Sequence, residues 1–123
     1  MPVYWSDGEW IEAEGFALPA ADRGVILGFA LFETMLAVDG RPKFTADHQA
    51  RWKQSCGRLG WDFPEIDFHA IGSELLAKNG LGQGRGRLRL TMTAGSGSIF
   101  EKSAGKDART WLAATAVDDV DHS

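Results

Sequence analysis

The clearest pattern in the chain is RLRLTMT, residues 87–93, where Leu88, Leu90 and Met92 fall on one side and Arg87, Arg89, Thr91 and Thr93 on the other. Strict alternation is the period of a half-buried strand, because successive side chains point to opposite faces. A second run, LFETMLAV from Leu31, alternates less strictly and ends at Asp39-Gly40, after which Pro42 and Phe44 suit a short return strand. Residues 3–5 and 10–13 flank Asp7-Gly8 in the same way, and a glycine there supplies the positive φ of a tight hairpin. Residues 111–117 read as a last strand, and TAGSGSIFEKSAGKD before it as a mobile loop.

Between the strands the period changes from two to that of a helix. Thr45 is placed to cap a helix running to about Leu59, with Asp47 favoured in its first turn and Gly60 able to end it. His48, Trp52, Cys56 and Leu59 form its buried stripe, and Arg51 stands about 60° from His48, at the edge of that stripe and partly buried. A second helix begins at Asp67, lines up Phe68, Ile71, Leu75 and Leu76, and stops at Asn79-Gly80. The order hairpin, hairpin, helix, helix, strand, loop, strand predicts an α+β domain, a mainly antiparallel sheet with two helices packed on it.

Composition narrows the function classes. The 123 residues suffice for one core, and 44% apolar with 24% charged residues is the balance of a soluble globular chain. A net charge of −4 with no basic run gives no footprint for nucleic acid. Cys56 is the single cysteine, so no internal disulfide forms, and its spacing from His48 and Trp52 puts it in the core as a small hydrophobe. His48, His69 and His122 lie too far apart for metal-ligand spacing, so no metal is expected. The N-terminus has neither the charged start nor the apolar run of an export signal, which points to the cytoplasm and away from membranes.

Three segments in order, DRGVILGFALFETMLAVDG, TADHQARWKQSCGRLG and RGRLRLTMTAGSG, resemble the N-terminal region of the class IV aminotransferases. These are the fold-type IV pyridoxal-phosphate enzymes, among them branched-chain and D-amino-acid aminotransferases and aminodeoxychorismate lyases. The resemblance covers roughly residues 2–117 and rests on the conjunction of motifs, since FET or an HxxR pair alone is common by chance. It implies the small N-terminal domain of that fold over residues 1–117, with 118–123 as an acidic tail or the start of an interdomain linker.

The resemblance also assigns residues. Arg51 matches the family's arginine for the phosphate of pyridoxal 5′-phosphate, and a planar guanidinium suits that task because it can make two parallel charge-assisted bonds. Leu27, Phe32 and Glu33 match the strand that lines the substrate pocket. Leu27 stands where many members carry Tyr or Phe, and Leu36 where branched-chain enzymes carry Arg. Phe32 reads equally as core, and Glu33 as a solvated edge charge. Arg87 and Arg89 match a strand that recognises the substrate carboxylate in some relatives, with a solvated sheet face as the alternative. Ala94 replaces the carboxylate-binding arginine of the D-amino-acid enzymes, which disfavours that assignment. The GSG after it is similar to the glycine-rich loop of the lyases.

In this family the Schiff-base lysine lies in a C-terminal domain, and Lys43, Lys53, Lys78, Lys102 and Lys106 do not match it. The chain alone is therefore expected to lack catalytic residues and turnover. Three expectations follow: the small domain of an aminotransferase acting on amino acids, assembled as a homodimer; the same domain of an aminodeoxychorismate lyase, eliminating pyruvate; or a non-catalytic oligomerisation or binding module.

Overall fold

The computed structural model describes residues 2–62 and 64–117, so the segment expected to be an acidic tail or linker lies outside the described residues. Its six strands are β1 (Val3–Ser6), β2 (Glu9–Glu12), β3 (Ala30–Val38), β4 (Arg41–Pro42), β5 (Arg85–Thr93) and β6 (Thr110–Ala116). They form one antiparallel sheet in the order β2-β1-β6-β5-β3-β4. Helices α2 (Thr45–Leu59) and α3 (Phe68–Lys78) contribute to its core, and a four-residue helix α1 (Arg23–Ile26) precedes β3. The expected α+β architecture is present, with α1 as an element the hydrophobic pattern did not predict.

Both Asp-Gly turns join their strands through two residues in positive φ, Asp7 and Gly8 at 51° and 91°, Asp39 and Gly40 at 50° and 78°. That backbone twist matches the twist of the strands it links, which is why these dipeptides fix hairpin register. Asp67 caps α3 by accepting from the Ala70 amide at 3.0 Å. Helix α2 differs from expectation: Thr45 is its first helical residue, its cap is Phe44 in left-handed backbone at φ 55°, and no side chain caps it.

The pleat divides the sheet into two unlike faces. On one, Met35 pairs with Leu88, Glu33 with Leu90 and Leu90 with Leu112. Met35, Leu88, Leu90 and Leu112 join Trp52, Cys56, Phe68, Leu75 and Leu76 in a single core. Each such side chain contributes about 1.5–3 kcal/mol by leaving water. On the other face the neighbours are Phe32, Thr91 and Trp111 in one row, Thr34, Arg89 and Ala113 in the next, Leu36, Arg87 and Thr115 in the third.

The segment expected to be mobile is anchored. Arg23 is completely buried, and its guanidinium donates to the carbonyls of Gly95, Glu101, Ala94 and Ser103, each at 2.9 Å. Both arms of the 93–107 loop are thereby tied to α1, and Trp61 adds a bond from Nε1 to the Lys102 carbonyl at 2.7 Å. Only the tip projects, with Ile99 and Phe100 among the most exposed apolar side chains. The hydrophobic pattern missed this because the anchor is a charged residue distant in sequence from the loop it holds.

Candidate functional site

Arg51 leaves α2 one turn after His48, and both reach the same carboxylate on β3. Glu33 is buried with its side chain 8% exposed, so it is not the solvated edge charge that sequence allowed. Its Oε1 accepts from Arg51 Nε at 3.0 Å and bonds His48 Nδ1, and Arg51 Nη2 lies 2.9 Å from it as an ion pair. A buried carboxylate is tolerable only when paired in this way.

Arg51 itself is 61% exposed, against the expected partial burial. Glu33 holds one edge of the guanidinium, the Nε–Nη2 side, and among the described residues Nη1 bonds to none. The outer Nη1–Nη2 fork is thus turned outward, beside a shallow cleft lined by Asp47, Ala50, Lys53 and Gln54. A cation with one edge neutralised and pinned and the other exposed is suited to a phosphate ester, which accepts two parallel N–H bonds.

The remaining candidates separate by strand parity. Phe32 and Glu33 are consecutive, so they point to opposite faces, and the structure brings Glu33 to Arg51 rather than to Phe32. Phe32 is half exposed on the open face, which removes it from the core, and the Arg89 guanidinium lies 4.4 Å from its ring centre. Arg87 and Arg89 share that face two residues apart, and no acidic side chain pairs with either among the described residues. Leu27 is exposed at the end of α1. The open face therefore offers two cations beside the apolar Phe32 and Leu36, an arrangement able to hold a carboxylate next to an apolar group.

Two features outside this set have definite roles. Gly97 packs on the Arg23 guanidinium so closely that a Cβ there would lie 2.8 Å from Arg23 Cζ, and one at Gly95 would lie 2.7 Å from Asp107 Oδ1. The GSG motif is explained by this packing. Asp107 accepts from the Ser96 hydroxyl at 2.7 Å and the Ser96 amide at 2.9 Å, and these bonds hold its carboxyl below the usual carboxylate range. Cys56 is buried as expected, and burial pushes its thiol up. No three His, Cys, Asp or Glu side chains cluster in metal-binding geometry among the described residues, and no described helix is long and apolar enough to cross a membrane.

The sequence pattern of the family described as Amino-transferase class IV matches residues 30–120. This chain belongs to that family. Its fold is similar to the branched-chain aminotransferase from Thermoproteus uzoniensis with norvaline, with a TM-score of 0.78 at 20% identity over 95% of this chain and 41% of that one. The Escherichia coli branched-chain aminotransferase gives 0.78 at 15% identity over 94% and 41%. A hypothetical aminotransferase from Mycobacterium tuberculosis, in a PLP-bound form, gives 0.71 at 26% identity over 94% and 40%. The chain spans about two fifths of the length of these proteins. No curated protein matches it.

Proposed function

We propose that the chain is the small domain of a pyridoxal-phosphate-dependent, aminotransferase-like enzyme acting on amino acids, in which Arg51 binds the cofactor phosphate. The observation that carries this reading is the orientation of Arg51: the buried Glu33 grips its inner edge, leaving an exposed fork of N–H donors in a member of a family whose relatives include a PLP-bound form. When bound, the cofactor supplies an electron sink for the carbanion formed at the substrate Cα. The residues of this chain would bind and orient: Arg51 the phosphate, Arg87 and Arg89 a carboxylate, Phe32 and Leu27 the adjoining apolar group.

The aminodeoxychorismate lyase stays as the alternative reading, with the GSG that is similar to the lyases' loop packed against Arg23 and Asp107. Homodimer assembly remains part of the proposal. Val25, Ile26, Leu27, Ile99 and Phe100 are exposed on α1, its end and the loop that Arg23 ties to it, apolar surface of the kind that a second copy would cover. Light scattering is expected to find a dimer, and a monomer at every dilution removes that part.

The test of the phosphate site is cofactor retention by the full-length enzyme, measured by equilibrium dialysis. Arg51→Ala is expected to weaken pyridoxal 5′-phosphate binding by about 1.5–3 kcal/mol, the usual worth of a hydrogen bond to a charged group. Arg51→Lys recovers part of it, since an ammonium supplies charge without the fork. Arg58→Ala, in the last turn of the same helix, leaves it unchanged. Equal affinity in wild type and Arg51→Ala refutes the assignment.

A further inference from the structure

Glu33 and His48 do more than satisfy one another. We propose that they are positioning residues for phosphate recognition: His48 fixes the Glu33 carboxylate, and Glu33 in turn holds the inner edge of Arg51 so that its outer fork meets the phosphate. This rests on the reading of Arg51 as the phosphate ligand and names what makes that ligand effective.

The chain of contacts has a direction. Strand β3 carries Glu33 on the same face as Met35 and Ala37, opposite Leu90, so its carboxylate enters a surface that is otherwise apolar. A carboxylate only accepts, so His48 Nδ1 carries the proton in its contact with Oε1. The same Nδ1 lies 3.1 Å from Arg51 Nη2, and two donors cannot bond one another. His48 is therefore the partner of Glu33 and reaches Arg51 only through it. A long side chain left free samples many rotamers, and holding it in one before the ligand arrives removes that entropic cost from binding.

Charge alone would argue against this arrangement. An anion behind Arg51 repels a phosphate and offsets the guanidinium, so a purely electrostatic site would be better without it. The two roles consequently predict opposite signs. Shortening Glu33 to Asp keeps the charge and withdraws the grip; converting it to Gln keeps the reach and an acceptor while removing the charge.

The experiment titrates the full-length enzyme and its variants with pyridoxal 5′-phosphate, using pyridoxal as the phosphate-free control, and follows the Arg51 Nε–Hε resonance by NMR. Glu33→Asp is expected to bind the phosphate ester roughly three- to tenfold more weakly, part of one charge-assisted bond, with a broadened Arg51 signal even before ligand is added. Glu33→Gln binds as well as wild type or better. His48→Asn, whose amide nitrogen stands where Nδ1 stood, retains affinity, whereas His48→Ala loses it by a similar factor. The His48 pair decides the matter should Glu33→Asp fail to fold. Unchanged affinity in Glu33→Asp or in His48→Ala, with an equally sharp Arg51 resonance, overturns the positioning role. Wild-type affinity in Arg51→Ala overturns the phosphate reading itself, so the two failures are told apart.

Discussion

Replacing Arg23 by Met keeps the aliphatic stem and deletes the guanidinium on which the 93–107 loop hangs. Four carbonyls, those of Ala94, Gly95, Glu101 and Ser103, each lose a donor at 2.9 Å. The Gly95 and Ala94 carbonyls keep the backbone amides of Arg23 and Gly105, so only those of Glu101 and Ser103 are left without a donor; at about 1–3 kcal/mol for each unsatisfied acceptor, a rigid loop would lose on the order of 2–6 kcal/mol. Two effects reduce this. The loop can swing open and let water replace the guanidinium, and wild type carries a burial penalty of several kcal/mol for a cation whose acceptors are carbonyls rather than a carboxylate, a penalty Met does not incur. The adjacent Asp22 does not neutralise Arg23, since its oxygens accept from the Gly24 amide at 2.7 Å and the Thr93 hydroxyl at 2.7 Å. The net expectation is a loss of about 1–3 kcal/mol in urea unfolding, a sizeable share of the stability of a small domain. Amide exchange should accelerate first at Ser96, Gly105 and Ala108, whose N–H groups bond within the loop. A loss below about 0.5 kcal/mol, the range of ordinary surface substitutions, with unchanged exchange at those amides would refute the anchor.

Gly97→Ala should destabilise by about 1–3 kcal/mol in the same unfolding assay, because its methyl would meet Arg23 Cζ at 2.8 Å, while a neutral result would mean the loop is looser than described. Cys56 should be inert to a thiol reagent in the native chain and react on unfolding, since burial raises its pKa and leaves little thiolate. Its stabilising contribution is present below the unfolded thiol value and lost as pH rises through the folded one; rapid native labelling would contradict this.

The parts of the fold that the sequence made legible are those governed by local periodicity and turn chemistry. The alternation at residues 87–93 placed β5, the two Asp-Gly pairs fixed both hairpins, and the Trp52 and Cys56 spacing identified the buried side of α2. Arg51 was found through the family's motif order rather than through periodicity. What escaped was set by contacts remote in sequence. Arg23 lies some seventy residues from the carbonyls it organises, as the separation of 72 from Gly95 illustrates. Its signal was available in part, as an arginine between Asp22 and Gly24 ahead of β3 and a later glycine-rich segment, but nothing local states that the two meet. Glu33 was grouped with Phe32 because the motif is contiguous; the pleat sends the two to opposite faces, and only the pairing of β3 with β5 shows which face receives α2.

Recognition of a phosphate by Arg51 can be isolated by a double comparison in the full-length enzyme. Affinities of wild type and Arg51→Ala are measured for pyridoxal 5′-phosphate and for pyridoxal, which differ only in the phosphate. A coupling of about 1.5–3 kcal/mol is expected, with Arg51→Ala weakening the phosphate ester and leaving pyridoxal unaffected. Equal losses for both ligands, or none for either, would contradict it.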